Sequence, residues 1–253
     1  MSRNDGSNIQ EQNVILGAIV LLGSLLISLF SAVIVSHDLK KRSRNDARLS
    51  KEINTILKSG SKWIVTVVDL KIPNAFVLSF GRRLFVTSTL LQLLNKQEVI
   101  AVLLHEAYHA TNKHGLKFIV FNSTFMSIVA TCISTMTPAA FLLFLATACL
   151  APSLWNVLIS KRLELRADSF AVKHGYGKEL SNALEKLQVW INKRRPPLEC
   201  TTIVCKIIKK IDQLLSSHPE IETRLKNILK QISKMKSISL QNIKRIILKK
   251  SQS

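Results

Sequence analysis

The sequence predicts an α+β fold, mostly helical and embedded in a membrane, with a small β-sheet and about three transmembrane helices. Two uncharged apolar stretches, Val14 to Val35 and Phe118 to Ser160, supply the spans. Short β-branched runs between residues 63 and 87 supply the sheet, and helical periodicity fills most of the remainder. The composition agrees. The 253 residues carry 36 Lys+Arg against 16 Asp+Glu, a formal charge of +20, yet mean hydropathy is +0.21 and 47% of residues are hydrophobic. A disordered basic tail is poor in apolar residues, and a soluble basic enzyme rarely has positive mean hydropathy. The two properties coexist when apolar residues are segregated into spans and bases into their flanks. Cys132, Cys149, Cys200 and Cys205 are too few and too scattered for a disulfide framework.

In chain order, residues 1–13 form a short N-terminus and 14–36 the first span, long enough for about 30 Å of hydrocarbon. Only Arg3 lies ahead of that span, with Asp5 and Glu11, whereas Lys40, Lys41, Arg42, Arg44 and Arg48 follow it. The positive-inside rule therefore predicts an N-terminus outside and a basic linker, 37–59, in the cytoplasm. Residues 60–117 form the first half of a globular domain. Trp63 to Leu70, Asn74 to Phe80 and Leu84 to Thr87 read as strands, with a turn at Gly81-Arg82-Arg83 and a helical stretch over 97–116. As one helix, 118–159 would be about twice as long as the bilayer core is thick. Thr137-Pro138 marks a turn, giving a hairpin of spans 118–136 and 139–159. The alternative is a greasy helical pair inside a soluble core. Ser123, Ser127, Thr131 and Ser134 share one face of the first arm, a pattern read as close helix packing. The second half of the domain, 160–232, holds helices near 160–174, 178–193 and 202–215, then an amphipathic helix marked by Ile221, Leu225, Ile228, Leu229 and Ile232. Residues 233–253 form a basic tail, suited to an anionic membrane surface or to solvent.

Residues 105–109 read His-Glu-Ala-Tyr-His within a helix. Positions i and i+4 share a face, so His105 and His109 can present imidazoles to one Zn²⁺. Glu106 lies about 100° round the helix, outside the ligand set, where it can take a proton from a water the metal acidifies. A catalytic zinc keeps three protein ligands and an open position. Glu164 and Asp168 lie at i and i+4 on the helix that follows the hairpin, Glu164 as third ligand and Asp168 as its supporting neighbour. The competing reading is a solvated Glu-Arg helix face. Position favours the metal: His109 lies about 14 Å of helix before Phe118 and Glu164 about 6 Å after Ser160, so the hairpin returns one beside the other. His114, five residues past His109, is about 140° off the ligand face and reads as a surface residue. His174, before Gly175, reads as a helix-end cation.

Over roughly residues 60–230 the chain resembles the HtpX-type membrane zinc metalloproteases, relatives of the CAAX prenyl endoprotease. The resemblance is carried by Pro73-Asn-Ala-Phe76, Phe85-Val-Thr87 with Leu90-Leu91, Glu98 ahead of His-Glu-Ala-Tyr-His, Glu-Leu-Arg-Ala-Asp at 164–168, and Ser217-His-Pro219 with Arg224. It implies a gluzincin-type protease: one zinc per chain on His105, His109 and Glu164, Glu106 as general base, and a membrane hairpin between the motifs. It further implies an edge strand at Asn74, Ala75 and Phe76 where extended peptide adds by β-augmentation. His218 would donate to the oxyanion, or else simply start a helix ahead of Pro219. Arg224 would pair with Asp168.

The expected function is a membrane-bound zinc endopeptidase cleaving membrane or misfolded proteins at the cytoplasmic face of the plasma membrane, with protein quality control as the expected role. Its expected partners are polypeptide substrates and the lipid bilayer. The alternative is a non-catalytic membrane adaptor that retains a structural zinc fold. Nucleic-acid binding is not expected, because the bases are dispersed and aromatics are only 6% of the chain.

Overall fold

A computed structural model describes residues 3–58, 60, 62–78, 81–133, 137, 157–194 and 220–250. Helix α1, Arg3–Lys41, contains the first expected span within an apolar stretch, Gln12–Lys41, that is long enough to cross a membrane. Its large side chains point outward: Leu26, Ile27 and Phe30 are each about two-thirds exposed, at 65%, 69% and 67%. Helix α5, His114–Ile133, offers a second such stretch, His114–Cys132, with Phe118, Val120, Met126 and Ile128 exposed. The described arm of the hairpin is thus not a core helix of a soluble domain. Its turn beyond Thr137 and most of its second arm lie outside the described residues, as does the helix expected near 202–215.

α1 and α5 pack against each other. Of the small polar face expected on α5, Ser127 and Thr131 meet α1, and Ser134 lies outside the described residues. Ser127 Oγ donates to the Gly17 carbonyl at 2.7 Å, Ser123 is buried, and a Cβ at Gly17 would collide with Thr131 Oγ1. The lack of a side chain at Gly17 lets the two backbones approach, the packing that small residues permit between membrane helices.

The stretch read as linker holds regular structure. Strand β1, Ser43–Asp46, pairs antiparallel with β2, Ile64–Val68, in the register Ser43↔Val68. Helix α2, Ala47–Leu57, follows directly, N-capped by Asp46, whose carboxylate accepts from the Leu49 N–H at 2.9 Å. α2 is pinned to the sheet by side chains. Ser50 Oγ accepts from the Val65 N–H at 2.8 Å, and Asn54 bonds both the N–H and the carbonyl of Trp63, at 2.7 and 2.9 Å. Leu49 and Ile53 bury beneath it.

The sheet is mixed, in the order β1-β2-β4-β3. β4, Arg83–Thr87, runs parallel to β2, with Ile64 opposite Arg83; β3, Ala75–Val77, runs antiparallel to β4, with Phe76 opposite Phe85. β3 is therefore an edge strand. It is shorter than the run from Asn74 to Phe80 expected from sequence, and Ser79 and Phe80 lie outside the described residues.

Helix α3, Ser88–Leu93, is capped by Thr87 and leads into α4, Lys96–Thr111. A capping box fixes the start of α4: Asn95 Oδ1 accepts from the Glu98 N–H at 3.0 Å, and Glu98 Oε2 accepts from the Asn95 N–H at 2.9 Å. Buried Glu98 is also held by Lys186 Nζ at 2.7 and 2.8 Å. The helical stretch expected over 97–116 is broken. α4 ends at Thr111, Asn112 caps it, Lys113 takes a left-handed φ of 51°, and α5 begins at His114.

Residues 157–173 form helix α6. It stops at Gly175, whose φ of 88° suits glycine; the Gly175 and Tyr176 N–H groups satisfy the carbonyls of Val172 and Ala171. His174 turns back, its Nδ1 2.8 Å from the Phe170 carbonyl. α7, Gly177–Arg194, packs on both α4 and α8, Ile221–Lys250. In α8, Ile228 is fully buried and Leu225 half-buried, whereas Leu229, expected on the same face, is 59% exposed. α8 also runs on through most of the expected tail, to Lys250. One core joins Ile53, Trp63, Leu84, Leu104, Leu180 and Ile228, so sheet and helices share a single apolar interior behind α4.

Candidate metal centre

α4 presents His105 and His109 on one face, one turn apart. α6 crosses that face and presents Glu164. His105 Nε2 lies 3.3 Å from His109 Nε2 and 3.3 Å from Glu164 Oε2, and His109 Nε2 lies 3.4 Å from Glu164 Oε1. A tetrahedral zinc with bonds of about 2.0–2.1 Å holds its ligand atoms about 3.3–3.4 Å apart, the spacing found between the two imidazole nitrogens and from each of them to one of the two Glu164 carboxylate oxygens. Two imidazole nitrogens and a carboxylate converging at these distances are a donor set for a metal of zinc's type.

Behind the centre lies a buried ion pair. Asp168, fully buried on α6, accepts from His105 Nδ1 at 2.9 Å. Arg224 of α8 grips the same carboxylate with two bonds, Nε to Oδ2 at 2.9 Å and Nη2 to Oδ1 at 2.6 Å. Its Nη1 also lies 3.6 Å from Glu164 Oε2. In the neutral form that binds a metal, the hydrogen on His105 therefore sits on Nδ1, leaving the Nε2 lone pair to face the centre.

The electrostatics follow from this packing. Burial opposes a charge on His105, but hydrogen bonds to Asp168 and Glu164 outweigh it and raise the imidazole to about 9. Burial would raise the Asp168 carboxyl, yet His105 and Arg224 hold it below its ordinary value. Burial likewise opposes the charge on Arg224, and Asp168 more than restores it. The Glu106 carboxyl is raised by desolvation, partly offset by His105 and His109.

Glu106, His109 and Glu164 line a cavity of about 370 Å³ whose opposite wall is the edge strand, Asn74 through Leu78. The structure therefore brings together Glu106, His105, His109, Glu164, Asp168, Arg224, Asn74, Ala75 and Phe76. His218 lies outside the described residues. Two roomier clefts, one beside Trp190 and one beside Asn54, hold no metal-ligating cluster among the described residues.

One residue escaped the sequence reading. His114 is half-buried and lines the same cavity, with its Nδ1 2.9 Å from His109 Nδ1. An uninterrupted helix would have turned it away, but the left-handed turn at Lys113 turns it back. That conformation is uncommon for a lysine, and nothing in the local sequence announces it.

A two-histidine, one-carboxylate centre with a further carboxylate beside it, facing an edge strand across a cavity, is the arrangement of a metallopeptidase. The chain belongs to Peptidase family M48, whose profile matches residues 38–232. The resemblance to HtpX-type proteases holds as membership of this family. No curated protein matches the chain. Among solved structures it is similar to the crystal structure of S. mikatae Ste24p, with a TM-score of 0.61 at 20% identity. The match covers 89% of this chain and 62% of that one, so the likeness is one of fold, and this chain spans less than two-thirds of its neighbour's length.

Proposed function

We propose that the protein is a membrane-bound zinc endopeptidase of gluzincin type, acting on membrane or misfolded polypeptides at the cytoplasmic membrane surface in protein quality control. One observation carries the reading: the three converging ligand atoms, Glu106 and the edge strand line or border one cavity. His105, His109 and Glu164 would hold one zinc per chain. Bound there, zinc supplies Lewis acidity, polarising a peptide carbonyl and acidifying water. Glu106 takes the proton of the attacking water and passes it to the leaving amine; a carboxyl raised by burial suits both transfers. β3 receives the substrate as an added strand, so backbone bonds hold it and side-chain identity matters little. That tolerance fits a protease of misfolded chains. Asp168 and Arg224 hold His105 in its metal-facing tautomer, and His218 donates to the oxyanion.

The test is proteolysis in detergent, with zinc content measured on the same samples. Glu106→Gln should keep its zinc and lose cleavage, and His218→Ala should keep its zinc and lose about 10²–10³ in kcat. Cleavage by the Gln variant would refute the role of Glu106, and zinc retained without cleavage by the wild type would favour the adaptor.

A further inference from the structure

His105 and His109 offer equivalent nitrogens to the centre, but their outward nitrogens meet different partners. His105 Nδ1 meets the Asp168 carboxylate, whereas His109 Nδ1 meets the Nδ1 of His114 at 2.9 Å. Two imidazole nitrogens at that distance need one hydrogen between them, donated by one ring and accepted by the other. His109 Nε2 faces Glu164 and His105 across the centre, so its lone pair belongs there. The hydrogen of His109 must then lie on Nδ1, and His114 Nδ1 accepts it with its own hydrogen on Nε2. The ring of His114 is held in place. Tyr108 packs edge-on against it, with centroids 5.4 Å apart and planes at 65°, and Tyr108 rests in turn on Phe170. The turn through Lys113 sets the register that makes this contact possible.

We propose that His114 is a positioning residue for the metal: it accepts the Nδ1 hydrogen of His109, fixes that tautomer and aims Nε2 at the centre. The inference rests on the zinc reading above. It gives the two histidine ligands unlike support, a carboxylate backed by Arg224 on one side and an imidazole on the other. Outer partners of this kind are typically worth about 10–100-fold in metal affinity.

The experiment compares the full-length wild type with H114F, H114A and H114N, purified in detergent and stripped of metal. Zinc affinity is read by chelator competition, the ligand field by the visible spectrum of the Co²⁺ form, and folding by circular dichroism. We expect folded H114F and H114A to bind zinc about 10–100-fold more weakly, with an altered Co²⁺ spectrum. H114N, whose side-chain carbonyl can accept the same hydrogen, should recover most of the affinity. Affinities of H114F and H114A within twofold of wild type would overturn the inference and leave the zinc site standing. So would an H114N no better than H114A, because the role would then be packing alone. A wild type that binds no zinc would remove both readings together.

Discussion

At Asp168 one buried carboxylate serves two partners, and the result is a centre whose charge depends on pH. Asp168 keeps His105 protonated in the metal-free chain, at about 9 against an ordinary 6.5, while Arg224 keeps Asp168 ionised. A group raised on folding contributes stability below its unfolded value and loses it as pH climbs through its folded value. For His105 that window runs from about 6.5 to 9. The shift is worth at most about 3 kcal/mol. Glu106, also raised, acts with the same sign from its ordinary value upward, and Asp168, lowered, acts with the opposite sign only in acid. The metal-free protein should therefore lose thermal stability between pH 7 and 9.5. The zinc-loaded protein should lack this slope, because the neutral imidazole is the form that binds. Calorimetry in detergent with chelator and with zinc checks both, and a metal-free Tm that stays flat or rises over that range would contradict the assignment.

Among the elements, β3 carries the substrate argument, and its hydrogen bonding makes that argument testable. Asn74 bonds inward to Thr87, its carbonyl accepting from the Thr87 N–H at 3.0 Å and its N–H donating to Thr87 Oγ1 at 2.9 Å. Strand residues alternate sides, so Phe76 also faces β4, while Ala75 and Val77 direct their N–H groups outward. Proline is tolerated at an edge position whose N–H faces away from the ladder. Val77→Pro should leave zinc content unchanged and raise KM for polypeptide substrates several-fold with a smaller effect on kcat; an unchanged KM would rule out β-augmentation at this edge. The same strand shows what was legible. Its β-branched and aromatic neighbours in β2 and β4 announce a sheet from composition, and the spacing of His105, His109, Glu164 and Asp168 announces a shared face. β1 and α2 were not legible as structure. Ser43-Arg-Asn-Asp46 has no intrinsic liking for a strand; it extends because β2 offers an open edge, and Arg83 links the two by donating to Asn45 and Thr66 at 2.9 Å. α2 is half polar, and its hold on the sheet comes from Ser50 and Asn54 bonding to backbone far along the chain. His114 was misread for a related reason: helical geometry places it correctly only while the helix continues, and α4 ends at Thr111, with the turn at Asn112 and Lys113 in between.

For the whole molecule, the excess of basic residues and the excess of apolar residues become one statement about orientation. The apolar surface of α1 and α5 faces outward, where water would tolerate so large a patch poorly and lipid would tolerate it well. Gly17, Ser127 and Thr131 join the two helices, so the orientation of α1 constrains that of α5 and, through Lys113, of the metal centre just beyond it. On the proposed topology, the five bases from Lys40 to Arg48 set which side the centre faces. Arg44 lies in β1 and Arg48 in α2, so replacing them would disturb the fold; Lys40, Lys41 and Arg42 lie at the end of α1 and just past it, largely exposed, and can be changed alone. In the wild type, a cysteine introduced at exposed Ser237 of α8 should react with a membrane-impermeant maleimide only after the membrane is opened, with the native cysteines replaced to remove background. Replacing Lys40, Lys41 and Arg42 by Gln while adding three lysines ahead of Gln12 should place Ser237→Cys on the outside in part of the population. Labelling of the wild-type background in intact cells would reverse the proposed topology and put the His-Glu-Ala-Tyr-His helix outside. Labelling confined to opened cells, together with its partial inversion by the charge swap, would tie the cytoplasmic placement of the centre to those three side chains.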